Sequence, residues 1–271
     1  MPELLEVEFY RQLALGVLGR TVTGVSVPDK KVLVPPLTVT GLRRALVGRQ
    51  FTSARRHGKL LLLESGPLAD WGDAPAGPIL GIRFGMTGEL VVDDRSAVDR
   101  LLYSPGRYGP QWVRCRIELS GGRLELHDPR RFGRIALDPD ESVLGPDAAT
   151  VSPAELRGAL AARTGGGPPL KARLQDQARL AGLGNLLCDE ILWRAGLSPW
   201  RPSGSLTGPE LRRLHRHLRA TVSDLLVRGG SHLGDLMPER GAGGHCPRDG
   251  TALVRSTVGG RTTWWCPSHQ V

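Results

Sequence analysis

The sequence predicts an α+β protein of two domains: a leading helix with an all-β sandwich or barrel, then a helical half. Three observations carry this. Before about residue 150, short β-branched or aliphatic runs alternate with Gly, Pro, Asp and Ser at the close spacing of an antiparallel β domain. After it, helix-capping signatures and a 3.6-residue apolar period take over. The length of 271 residues is enough for two cores.

From Glu3 to about Leu18 the apolar positions Val7, Tyr10, Leu13, Ala14 and Val17 recur at helical spacing, and Gly19 closes the run. Strands are expected at Thr21–Val27, Gln50–Arg56, Leu60–Glu64, Ile79–Phe84, Glu89–Val92, Trp112–Leu119, Arg123–His127 and Arg134–Leu137. Ser120-Gly121-Gly122 reads as a hairpin turn, and the Pro-, Gly- and Asp-rich stretch 66–77 as a loop insertion. Ser152-Pro153-Ala154-Glu155 is a capping box opening a helix to about Arg163. After a Gly-Pro linker, helices are expected over Leu170–Leu180 and from Asn185 to about Arg194. A second capping box, Thr207 with Glu210, leads a long amphipathic helix whose stripe is Leu211, Leu214, Leu218, Val222 and Leu225; Gly229-Gly230 ends it. The tail from Gly241 is too small to hold a core without a staple.

At 40% hydrophobic and 23% charged residues, the composition is that of a globular protein rather than a disordered one. No apolar run is long enough to span a bilayer, and the acidic start does not read as a secretory signal. A net charge of +9 points to a polyanionic partner. The charge is carried by arginine, since lysine occurs only at Lys30, Lys31, Lys59 and Lys171; arginine is the better fork for phosphates and base edges. Cys115 and Cys188 stand alone in apolar segments and read as buried thiols, which implies a reducing, cytoplasmic compartment.

Two stretches carry chemistry. Removal of Met1, which a small second residue permits, leaves Pro2 with a secondary α-amine. Such an amine titrates near pH ~8, so it is a far better nucleophile at neutral pH than a lysine. It can form a Schiff base with a carbonyl-like carbon such as a sugar C1′, with the carboxylates of Glu3 and Glu6 a few bonds away to move protons. The second stretch, Ala181-Gly182-Leu183-Gly184-Asn185, lies between two helices. Its glycines bare backbone N–H groups, Asn185 is placed to cap the next helix, and a helix amino terminus attracts phosphate.

With Lys171, Asp176-Gln177 and Asp189-Glu190-Ile191-Leu192 around it, this turn resembles the helix-two-turn-helix of the formamidopyrimidine-DNA glycosylase and endonuclease VIII family. The likeness extends along the chain. It takes in Pro2-Glu3 with Glu6, Lys59 ahead of Leu60–Leu63, and the segments 83–88 and 128–133, which are similar to the family's intercalation loops. Gly259–Thr263 before Cys266 resembles its zinc-finger hairpin.

The resemblance implies a catalytic β-sandwich over 1–148, a helix-two-turn-helix DNA-binding domain over 149–238 and a zinc-finger-like hairpin over 239–271, with DNA in the cleft between the domains. It implies Pro2 as nucleophile, Glu3 as proton shuttle supported by Glu6, Lys59 and Arg261 as catalytic-site cations, and Asn185 and Arg261 on the phosphates flanking a flipped nucleotide. Met86, Arg130 and Phe132 would fill the gap left by the base, and Arg131 and Lys171 would join the DNA-binding set.

One structural zinc would sit on Cys246, Asp249, Cys266 and His269, where Asp249 and His269 replace the family's second cysteines; His245 is a rival ligand, and a zincless finger packed by Trp264 and Trp265 is the alternative. Leu5 stands where the family has proline and Leu187 where it has tyrosine. The fifteen residues between Gly230 and Cys246 are too few for the flap of the purine-specific branch, which implies a more open lesion pocket. The expectation is a monomeric, nucleoid-associated DNA glycosylase with abasic-site lyase activity on damaged duplex DNA, with no membrane partner. The alternative is a catalytically silent damage-binding member.

Overall fold

The computed structural model describes residues 2–68, 76–98, 109–162 and 166–271. The fate of Met1 and most of the expected 66–77 loop lie outside them. The chain divides into two compact units, the first Pro2 with Glu6–Glu141, the second Glu3–Leu5 with Ser142–Val271.

The leading helix α1 (Leu4–Ala14) gives way to a 3-10 turn at Leu15–Val17, so the expected single helix to Leu18 is shorter and tightened at its end. Val7, Tyr10, Ala14 and Val17 are fully buried, as their spacing requires. In the first unit β1 (Val22–Ser26), β7 (Val113–Leu119), β8 (Gly122–His127), β5 (Glu89–Val92) and β6 (Arg95–Ser96) form one antiparallel sheet in that order. The strands β2 (Arg49–His57), β3 (Leu60–Leu68), β4 (Ile79–Arg83) and β9 (Arg134–Leu137) form the other.

Leu61, Leu63, Leu80 and Ile82 from one sheet and Leu90, Cys115, Ile117, Leu124 and Leu126 from the other share one core with α1, the sandwich the period-2 runs predicted. β3 continues through Gly66 to Leu68, because that stretch pairs with β2 instead of opening the loop. Helix α2 (Val39–Leu46), capped by the Thr38 hydroxyl, is absent from the sequence reading: its Val, Thr and Gly content hides the Leu42 and Leu46 stripe.

The second unit opens with α3 (Pro153–Leu160), on the expected capping box of Ser152 and Glu155. Helix α4 spans only Leu170–Leu174 and stops short of the expected end at Leu180. Two side chains end it by taking over the backbone. Asp176 accepts from the Ala178 N–H, while Gln177 accepts from the Gly182 N–H and donates to the carbonyls of Gln175 and Leu183. The result is a pair of turns leading into α5 (Asn185–Ala195), which Gly196 closes at φ 62. α6 (Gly208–Arg228) starts on the second capping box and buries the expected leucine stripe. The tail forms the hairpin β10 (Val254–Val258) and β11 (Arg261–Trp265), with Trp193, Leu236, Cys246, Leu253 and Cys266 as its small core. None of the four cysteines is in a disulfide, and burial pushes the Cys115 thiol up to about 12. Among the described residues no helix is long and apolar enough to cross a membrane.

Candidate active site and metal centre

Pro2 is buried, and the residue after it is seated on a helix terminus. The Glu3 carboxylate accepts three backbone N–H groups at the start of α5: Gly184 at 2.7 Å and Leu187 at 3.2 Å on Oε2, and Leu186 at 2.8 Å on Oε1. These are orphan donors of the first turn, at the positive end of the helix dipole. The Leu4 N–H adds a bond to the Gly182 carbonyl. Gly184 is required here, since a Cβ would collide with the Glu3 carboxyl carbon. Asn185 is therefore not the cap that the sequence suggested. Glu3 does that work from far away in the chain, and Asn185 is released to bind elsewhere. Its amide donates to the Thr262 carbonyl at 2.9 Å, and its Oδ1 accepts from Gln175 at 3.2 Å. This ties the α5 terminus to the residue beside Arg261, which is exposed at the start of β11.

Lys171, expected among the DNA-binding residues, is instead fully buried. Its ammonium pairs with Asp189 at 2.6 Å and donates to the Thr262 carbonyl and to Thr263 Oγ1. Burial lowers its pKa and Asp189 opposes that shift. It braces α4, α5 and β11 from within.

In the first unit the segments expected to intercalate are built around one buried carboxylate, Asp128. It accepts from Thr87 Oγ1 at 2.6 Å, from the Arg130 N–H at 3.1 Å and from the Gly133 N–H at 2.6 Å, and so binds the loop carrying Met86 to the loop carrying Arg130 and Phe132. Phe132 is 49% exposed, with the Arg130 guanidinium 5.2 Å from its ring centre. Met86 is half-buried in its tight turn. Arg131 keeps an exposed side chain, yet Asp29 takes its guanidinium at 2.5 and 2.9 Å and its backbone sits at φ 61, so the pair also shapes the loop. The pair holds the Asp29 carboxyl below its ordinary range. Lys59 lies in the two-residue turn between β2 and β3, and Glu6 is buried on α1. Asp128 and Gln177 were both inside quoted motifs, yet nothing in their residue type marked them as organisers.

The donor atoms of Cys246, Asp249, Cys266 and His269 lie within 4.8 Å of one another. Cys246 Sγ is 3.4 Å from His269 Nδ1, Cys266 Sγ is 3.4 Å from Asp249 Oδ2, and His269 Nδ1 is 3.6 Å from Asp249 Oδ2. Such separations are the edges of a tetrahedron around a small cation with bonds of about 2.0–2.3 Å. The His269 Nε2 lies 3.0 Å from the Trp193 carbonyl, which orients the ring with Nδ1 toward the cluster, and Trp193 Nε1–H donates to Cys246. His245 is exposed and outside the cluster. The donor set fits a structural zinc.

Known proteins share this layout. The family model described as "Formamidopyrimidine-DNA glycosylase N-terminal domain" matches residues 1–135, and that of the "H2TH domain" matches residues 144–235. A formamidopyrimidine-DNA glycosylase of Chloroflexus aggregans is 33% identical over 296 residues, covering 100% of this chain and 99% of the relative. That of Thermus thermophilus is 35% identical over 298 residues, at 100% and 98% coverage. The crystal structure of the MutM (Fpg) protein from Thermus thermophilus superposes with a TM-score of 0.76 at 33% identity, covering 99% of this chain and 98% of that one. A Lactococcus lactis Fpg in complex with an abasic site containing DNA matches at TM-score 0.78 over 99% of both chains; at 24% identity it speaks for the fold alone. With the match running through both units, the chain belongs to the formamidopyrimidine-DNA glycosylase family.

Proposed function

We infer that this chain is a bifunctional DNA glycosylase and abasic-site lyase of base excision repair. The observation that carries the reading is the seat of Glu3 on three N–H donors of α5, directly after a proline able to serve as an amine nucleophile.

The Pro2 nitrogen attacks C1′ of the damaged nucleotide as the bond to the base breaks. The nitrogen's proton is lost, the sugar ring opens, and a Schiff base joins protein to DNA. Glu3, held in one orientation, moves the protons of ring opening and elimination. β- and then δ-elimination cut the strand on both sides of the lesion, and water releases the sugar remnant. Arg261 and Asn185 take the flanking phosphates, and Lys59 a phosphate near the lesion. Met86, Arg130 and Phe132 occupy the gap in the stack. Glu6 supports the proton path. Zinc on Cys246, Asp249, Cys266 and His269 staples a hairpin too small to hold itself. The partner is double-stranded DNA with a damaged base or abasic site, met by a monomer in the cytoplasm. The short connection after α6 favours bulky or ring-opened lesions over strict 8-oxoguanine.

The test is borohydride trapping on a duplex with one abasic site, because borohydride reduces a Schiff base to a permanent bond. A trapped band that weakens in Pro2→Gly supports the reading. Tight binding of that duplex with no band, in protein shown by mass to begin at Pro2, replaces it with a silent damage-binding role.

A further inference from the structure

Within the second unit, one carboxylate is shared by two cations in a dry setting. Asp189 takes Lys171 on Oδ1 at 2.6 Å and Arg240 on Oδ2, through Nε at 3.0 Å and Nη2 at 2.7 Å. The Asp189 and Arg240 side chains are 1% and 6% exposed. An arginine is rarely withdrawn from water this far unless a carboxylate pairs with it. What the cluster touches is informative. Lys171 reaches the Thr262 carbonyl and Thr263 hydroxyl, the two residues after Arg261, and Asn185 holds the same Thr262 carbonyl from one helical turn before Asp189. Arg240 comes from the connection between α6 and Cys246, whose backbone is also fastened to α5: Glu190 accepts the Asp235 and Leu236 N–H groups at 3.0 Å.

We propose that Asp189 and Arg240 are positioning residues for the phosphate-binding pair Asn185 and Arg261, which rests on the glycosylase reading above. The two Arg240 donors converge on Asp189 Oδ2 and hold that oxygen, which leaves Oδ1 facing Lys171. The fixed carboxylate sets where the Lys171 ammonium stands, and the ammonium sets the register of β11 on α5. Arg261 is thereby held at a constant distance from Asn185 before DNA arrives, so no binding energy is spent on assembling the clamp. The connection after α6 acts here as a brace, not as a cover.

The experiment uses the full chain with Arg240→Met, which leaves Lys171 and Asp189 as a balanced pair and so preserves folding, beside Arg240→Lys. Amide exchange over Thr262–Trp265 without DNA should quicken in Arg240→Met by on the order of tenfold, a modest coupling. On an abasic duplex KM should rise by about tenfold while the single-turnover rate at saturation changes less than about threefold, and Arg240→Lys should recover part of the loss. Adding Arg240→Met to Arg261→Ala should raise KM no further, because Arg240 acts through Arg261. Unchanged exchange in a folded Arg240→Met protein, or a KM effect that multiplies with that of Arg261→Ala, overturns the proposal. A wild-type protein that traps no abasic duplex overturns the enzyme reading itself, whereas trapping with an unchanged KM in Arg240→Met overturns only the positioning role.

Discussion

Gly184 shows how one missing side chain can set the seat of a carboxylate. Alanine there would force the Glu3 carboxylate off its three donors. A displacement of about 1 Å at a reacting group costs roughly 100-fold, so Gly184→Ala should lose about that much in single-turnover strand cleavage while retaining duplex binding. An unchanged rate would detach Glu3 from the proton path. Asp128 makes the matching case in the first unit. Asp128→Asn turns one acceptor into a donor facing N–H and O–H groups, and should destabilise the protein by about 1–3 kcal/mol in urea unfolding. Pro2, Arg130, Phe132 and Arg261 are singled out in the sequence by residue type and motif position together, and their proposed roles rest on that. The burial of Lys171 is not, because a lysine carries no sign of its own depth, which is decided by a carboxylate eighteen positions away.

Capping boxes are the elements that the sequence states most openly. Both predicted boxes, at Ser152 and Thr207, are formed in full. Glu210 of the second is pulled from 4.5 to about 2, chiefly by its hydrogen bonds to Thr207 and then by Arg201. Since the folded pKa lies below the unfolded one, this stabilisation is complete above pH 4.5 and fades as pH falls toward 2. Wild-type protein should exceed Glu210→Gln by about 1 kcal/mol at pH 6 in urea unfolding, and the gap should close by roughly pH 2.5. A gap independent of pH would refute the assignment. Helix α4 is shorter than its pattern for the converse reason. Leu174, Leu180 and Ala181 keep an apolar rhythm, but Asp176 and Gln177 bond the backbone into turns, and that competition is invisible to periodicity.

At the scale of the whole molecule, net charge and the tail make separate demands. With +9 spread mostly over arginine, the Kd for an abasic duplex should weaken by about 100-fold between 50 and 200 mM salt if roughly four phosphates are neutralised. A flat salt response would argue against a backbone-tracking surface. Zinc bound at a thousandfold excess over its Kd adds about 4 kcal/mol, so a chelator should lower the unfolding temperature by on the order of 10 °C, and Asp249→Cys should resist the chelator longer than wild type. The two-part plan is readable from composition and period. The exchange of Glu3–Leu5 into the second unit is not, because no local pattern records a partner so far along the chain. That exchange has a consequence for how the protein is made. Glu3 finds its place only late in synthesis, since its three donors emerge some 180 residues after it. A chain interrupted anywhere before Gly184 leaves the Glu3 carboxylate with no seat. Synthesis order thus works as an interlock: the carboxylate beside the proposed nucleophile is seated only once the start of α5 has been made.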